Sequence, residues 1–161
     1  MSLGGWAIGE KLYNWIRERS PQPVKILEMG SGSGSHKLSE HYDMHCIEHD
    51  MKWMNKYDGI TYYHAPIVDG WYDPAVIDEV PKDYDMLLID GPPGKIGRLG
   101  ILNYVQELKM GGKVIIVDDI QRQAENSLFL QLWAAIGSGE TEVLADGKKK
   151  FGVIYNSDNE I

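Results

Sequence analysis

The sequence predicts an α/β domain, a mostly parallel sheet with helices on both faces, and three observations predict it. Short apolar runs at residues 24–29, Met86–Ile89 and Val114–Val117 each lead into an acidic residue or a glycine. Parallel strands are covered on both faces and therefore read as continuous rather than alternating apolar runs. Between and after them apolar residues recur at helical spacing, Ile101, Val105 and Leu108 before Gly111-Gly112, and Leu128, Leu132 and Ile136 before Gly137. Glycine is the residue that most readily ends a helix. The chain then closes with two apolar stretches around Asp146-Gly147, the signature of a hairpin.

Taken in order, a first helix is predicted over residues 5–19, with Ile8, Leu12 and Trp15 on one face and Ser20-Pro21 ending it. The strand at 24–29 follows, then a short helix at 37–42 and strands at 45–48 and Ile60–His64. A short helix at 75–80 precedes the strand at Met86–Ile89, and the glycine-stopped helices flank the strand at Val114–Val117. Strands at 141–145 and 151–155 form the hairpin, which brings the count to seven. The 161 residues are expected to make one domain: an N-terminal helix within 1–20, an α/β core over 21–156 and a frayed tail at 157–161.

Composition narrows the class of function. At 43% hydrophobic and 25% charged residues the chain matches ordinary globular proteins. It has no apolar run near the roughly 20 residues that cross a bilayer and no signal-peptide pattern, so a cytoplasmic protein without a membrane partner is expected. The single Cys46 allows no internal disulfide and lies in a predicted strand, where a packed, inert thiol is expected. A net charge of −8 disfavours nucleic acid as a partner. Lys148, Lys149 and Lys150 form the one visible basic cluster and read as a solvated hairpin edge.

Directly after the first strand stands Gly30-Ser31-Gly32-Ser33-Gly34-Ser35. Missing side chains there let backbone amides approach a nucleotide-like ligand ahead of a helix N-terminus. The glycines follow G-x-G-x-G; a dinucleotide fingerprint would want glycine where Ser35 stands. Glu48 ends the second strand 18 residues beyond Gly30, where a carboxylate can accept both hydroxyls of an adenosine ribose. Glu28, inside an apolar strand, must be paired, either by loop amides or by the ligand's ammonium.

Through ILEMGSGSGS, CIEHD, YDMLLIDGPPG and GGKVIIVDDI, in that order over residues 24–155, the sequence resembles the class I S-adenosylmethionine-dependent methyltransferases. The resemblance implies a Rossmann-like, doubly wound, mostly parallel seven-stranded sheet with a C-terminal antiparallel hairpin, and S-adenosyl-L-methionine as cofactor. Carried onto this chain, it places Gly30, Gly32 and Gly34 under the methionine moiety, Glu48 at the ribose, and His64 with Ala65 beside adenine, with Ser31 and His49 also expected to bind the cofactor. Glu28 and Asp90 complete the expected cofactor set.

Asp90 terminates the fourth strand and Asp118 with Asp119 the fifth, so three carboxylates gather on one sheet edge. Asp118 and Asp119 can serve one site only if the chain leaves the sheet between them, because successive strand residues face opposite sides. Such charges need a proton, Arg98, Arg122 or a hard divalent cation. Here the chain is similar to the metal-dependent small-molecule O-methyltransferases, which implies a magnesium site at Asp90, Asp118 and Asp119 and a small-molecule acceptor. Asp90 and Lys95 are the catalytic candidates, although the Gly91-Pro92-Pro93-Gly94 segment departs from those enzymes and leaves the base open. Trp6, Trp15 and Trp71 are candidates either to line the pocket or to pack in the core, and a homodimer could complete an open site. A nicotinamide oxidoreductase and a non-enzymatic nucleoside-binding regulatory module are the alternatives.

Overall fold

The computed structural model describes residues 9–156. The start of the first predicted helix, with Trp6 and Ile8, and the predicted tail at 157–161 lie outside them. The elements run α1 (Glu10–Arg19), β1 (Lys25–Met29), α2 (Ser33–Ser39), β2 (Asp43–Glu48), β3 (Ile60–His64), β4 (Ile67–Val68), β5 (Trp71–Tyr72), α3 (Val76–Glu79) and β6 (Met86–Ile89). A 3₁₀ helix (Leu99–Tyr104), β7 (Val114–Val117), α4 (Gln123–Ile136), β8 (Glu140–Asp146) and β9 (Lys149–Tyr155) follow. Seven strands form one sheet in the order β3-β2-β1-β6-β7-β9-β8. The first five are parallel, and β9 runs antiparallel to both β7 and β8.

Strand alternation splits the core in two. Leu27, Met29, Ile47, Leu87, Ile89, Ile115 and Val117 face a cluster that takes in α3, the 3₁₀ helix and α4. Ile26, Met44, Cys46, Met86, Leu88, Val114 and Ile116 face Leu12 and Ile16 of α1 and Leu38 of α2. Every residue of the two central strands β6 and β7 is buried, as their unbroken apolar runs require. No helix among the described residues is long and apolar enough to cross a membrane.

Three local expectations are corrected. The second helix begins at Ser33, directly off the glycine loop, and ends by Ser39, instead of spanning 37–42; serine hydroxyls stabilise helix starts where propensity alone predicts none. The helix expected through Ile101, Val105 and Leu108 is a 3₁₀ turn over Leu99–Tyr104 followed by turns. Ile101 and Leu108 are nonetheless fully buried, so the apolar spacing reported the core face and not the helix type. Between β3 and α3 lies the small antiparallel pair β4-β5, which was not predicted, because two-residue strands carry no period.

Candidate active site

The cavity lies at the carboxyl edge of the sheet where the chain reverses between β1 and β6, the crevice at which open α/β sheets bind ligands. It has a volume near 550 Å³, a size suited to a small molecule. Two glycines make the crevice possible. Gly30 has φ +88°, and a Cβ there would come 2.8 Å from the Asp90 carbonyl oxygen. A Cβ on Gly91 would come 2.5 Å from the Tyr72 hydroxyl and 3.0 Å from Gly30. The loops after β1 and β6 thus meet backbone to backbone, which only glycine permits.

Glu48 is tied to the first of these loops. Its Oε1 accepts from the Ser31 N–H (3.1 Å) and the Ser31 hydroxyl (2.7 Å), and its Oε2 from the Asp50 N–H (2.9 Å). His49 Nδ1 lies 3.3 Å from Oε2. Gly30, Ser31, Glu48, His49 and Asp90 all line the cavity. Gly32 and Gly34 lie beneath: Gly32 caps α2, its N–H donating to Ser35 Oγ at 3.1 Å, and Gly34 is buried inside that helix. His64, which is exposed, and the buried Ala65 are not among the residues that line the cavity; His64 Nε2 is 3.3 Å from the His49 carbonyl and Ala65 N–H donates to the Glu48 carbonyl.

Glu28 pairs in a way the sequence did not indicate. Neither a loop amide nor the cavity reaches it; it accepts from the Ser35 hydroxyl and, at 3.5 Å, from the Cys46 thiol. Burial, with the nearby charges of Asp118 and Glu48, pushes its carboxyl up to about 8, so it is neutral near pH 7. Burial and the adjacent Glu28 likewise push the Cys46 thiol far up, which keeps it protonated and inert.

The three aspartates converge, one oxygen of each lying within 4.8 Å of the other two. Ile89 pairs with Val117, so Asp90 and Asp118 follow in register on adjacent strands. Asp119 adopts φ +63°, the departure from the sheet that two consecutive aspartates need to share a site. Each carboxylate meets a cation. Arg98, only 6% exposed, donates from Nε to the Pro92 carbonyl (2.9 Å) and from Nη1 to the Asp118 carbonyl (3.1 Å). Its Nη2 donates to Asp119 Oδ2 (3.2 Å) and lies 3.7 Å from Asp90 Oδ1. Arg122 bridges Asp119 (3.0 Å) and Glu125 (3.1 Å). Lys149 Nζ sits 3.0 Å from the fully buried Asp118 Oδ2 and 3.6 Å from Asp119 Oδ1. That corrects the reading of the three lysines as one solvated edge: Lys148 and Lys150 are exposed, while Lys149 turns inward.

Burial and the charges of Asp118 and Glu28 raise Asp90 well above the usual carboxylate range, against Arg98 and Lys149, which lower it. Burial also pushes at Asp119, but Lys149, Arg98 and Arg122 outweigh it and hold that carboxyl below its ordinary value. Lys95 is exposed at the cavity wall.

Residues missed in the sequence complete the wall. Trp53, four residues beyond His49, lines it, as does Tyr72 from the unpredicted β5. Tyr72 is 1% exposed and its hydroxyl has no hydrogen-bond partner within the protein. Trp71 is buried and stacks on Tyr104 at 5.3 Å, and Trp15 packs on the α1 side of the sheet, so neither lines the cavity.

No family model matches the sequence, and no curated protein matches it. Solved structures do. The chain is similar to the precorrin-6y C5,15-methyltransferase of Geobacter metallireducens, with a TM-score of 0.63 and 13% identity over 95% of this chain and 91% of that one. A Staphylococcus aureus protein assigned as a caffeoyl-CoA O-methyltransferase gives a TM-score of 0.58 at 14% identity, covering 91% and 82%. The mycinamycin-pathway methyltransferase MycE, solved with Mg, S-adenosylhomocysteine and mycinamycin VI, gives 0.56 at 13% identity, with 92% of this chain covering 46% of that one. The fold is that of the Rossmann-like class I methyltransferases.

Proposed function

We propose that the protein is an S-adenosylmethionine-dependent methyltransferase that methylates an oxygen of a small-molecule acceptor. One observation carries the reading: the glycine loop, the Glu48 carboxylate and Asp90 meet in a single cavity at the switch point of a methyltransferase-type sheet. The walls fit the cofactor. Gly30 and Gly91 leave room for a ligand against bare backbone, Glu48 Oε2, which accepts one hydrogen bond from the protein, retains a lone pair for a ribose hydroxyl, and the unpartnered Tyr72 hydroxyl supplies a buried donor. When bound, S-adenosylmethionine supplies a methyl group on a sulfonium: the acceptor oxygen forms the new C–O bond as the C–S bond breaks, its electron pair staying on sulfur. The chain's part is placement and proton handling. Asp90, at the end of β6 facing both the loop and the acid cluster, is the group positioned to take the acceptor's proton.

Magnesium does not fit the aspartate set as it stands. Lys149 and Arg98 already hold positive charge 3.0–3.7 Å from the three carboxylates. A divalent ion about 4 Å from the ammonium would meet a repulsion of about 8 kcal/mol at an effective dielectric of 20.

Calorimetry with S-adenosylhomocysteine tests the function. Binding is expected in the micromolar range, about −8 kcal/mol, and Glu48→Ala should weaken it by about 1–3 kcal/mol through lost charge-assisted hydrogen bonds. Tighter binding of NAD than of S-adenosylhomocysteine would replace the methyltransferase reading with the oxidoreductase one.

A further inference from the structure

We propose that Lys149 is a built-in substitute for a divalent cation: its ammonium occupies the cation position among Asp90, Asp118 and Asp119 and holds the acceptor oxygen there. The inference rests on the methyltransferase reading and deepens it, by making the site independent of metal and by naming the class of acceptor, one that presents a hydroxyl or an ionised oxygen.

The placement follows from topology. Parallel strands end at the carboxyl edge of the sheet, and an antiparallel neighbour begins there. β9 runs antiparallel to β7, with Val117 opposite Gly152, so the first residue of β9 arrives beside the aspartates that end β7. Asp146 pairs with Lys149 across the turn, which fixes where the strand starts. The next residue is pinned to the acidic loop, because the Lys150 N–H donates to Gln121 Oε1 at 2.8 Å and the Ile120 N–H donates to the Lys150 carbonyl at 2.9 Å. Strand alternation then turns Lys149 inward while Lys148 and Lys150 face solvent.

Lys149 is more than a partner for buried acids. Its side chain keeps 32% of its surface exposed and forms part of the cavity wall together with Asp90, Asp119 and Arg98. An ammonium carries three donors. Lys149 stands in ion-pair contact with Asp118 at 3.0 Å and Asp119 at 3.6 Å, so donor capacity is left for an oxygen in the cavity. A cation there favours the ionised form of a hydroxyl, the service a metal performs elsewhere. Lys149 remains protonated throughout as a donor.

Terbium, a hard oxygen-seeking ion, is the probe, read by its luminescence in the full-length protein. Lys149→Met should bind terbium at least tenfold more tightly than the unmodified protein, and adding Asp118→Asn should remove the gain. A gain below tenfold would overturn the proposal, since the lysine would not be what keeps the ion out. Lys149→Gln, which keeps a polar head on a shorter stem, serves under the same criterion if the methionine variant does not fold. A second arm uses 4-nitrocatechol with S-adenosylhomocysteine present: the unmodified protein should lower the probe's apparent pKa, seen as increased phenolate absorbance, and Lys149→Met should not. Equal spectra for the two proteins would overturn the oxygen-holding role. S-adenosylhomocysteine calorimetry on the same samples separates the two levels, because failure to bind it removes the function, whereas binding it without the terbium gain removes only the role of Lys149.

Discussion

Replacing Glu28 by glutamine should make the protein more stable at high pH while leaving it nearly unchanged at low pH. Glu28 is 2% exposed within β1, and its carboxyl is pushed up to about 8 from an ordinary 4.5 by burial and by Asp118 and Glu48. The folded state therefore keeps a proton that the unfolded chain gives up above about pH 4.5. The sign follows directly: the stability contributed by the neutral carboxyl is full below pH 4.5, declines as pH rises through about 8, and is gone above it. With a span of about 3.5 pH units and about 1.4 kcal/mol per unit, the decline amounts to at most about 5 kcal/mol.

Glutamine keeps the length of the side chain and an oxygen for the Ser35 hydroxyl, and it cannot ionise. Its stability should stay within about 1 kcal/mol of the unmodified protein at pH 5 and exceed it by several kcal/mol at pH 9. Urea unfolding followed by tryptophan fluorescence at pH 5, 6, 7, 8 and 9 provides the comparison. Parallel stability curves across that range would refute the reasoning, because they would mean that Glu28 titrates alike in the folded and unfolded chain.

Two further substitutions probe the cavity. Tyr72→Phe removes a buried hydroxyl without a partner in the protein, so the thermal midpoint of the free protein should hold or rise while S-adenosylhomocysteine affinity falls by about 1 kcal/mol; unchanged affinity would show that the hydroxyl does not reach the ligand. Gly30→Ala combines φ +88° with a Cβ 2.8 Å from the Asp90 carbonyl oxygen, so one of the two backbones must move; a loss of about 1–3 kcal/mol in urea unfolding is expected, together with weakened cofactor binding, and a variant as stable as the parent would contradict the close approach.

Sequence alone determined the sheet and the identity of its edge. The strands Met86–Ile89 and Val114–Val117 stand where their apolar runs were read, because a strand covered on both faces leaves an unbroken mark in the sequence. The glycine loop, Glu48 and the three aspartates were readable for the same reason: they punctuate those runs at one end, and a parallel sheet collects such ends on one edge. What the sequence could not decide was which groups meet across elements. Lys149 looks like its neighbours Lys148 and Lys150, and only the antiparallel register of β9 against β7 turns it toward Asp118. Tyr72 sits on a two-residue strand with no period to detect, and tertiary packing alone brings its hydroxyl to Gly91. Glu28 was readable as a buried acid, but its partners, Ser35 and Cys46, belong to the following helix and the adjacent strand. Periodicity records which face of an element is buried. The charge and hydrogen-bond partners of a site depend on distances between elements remote in sequence, and those exist only once the sheet has closed around its edge.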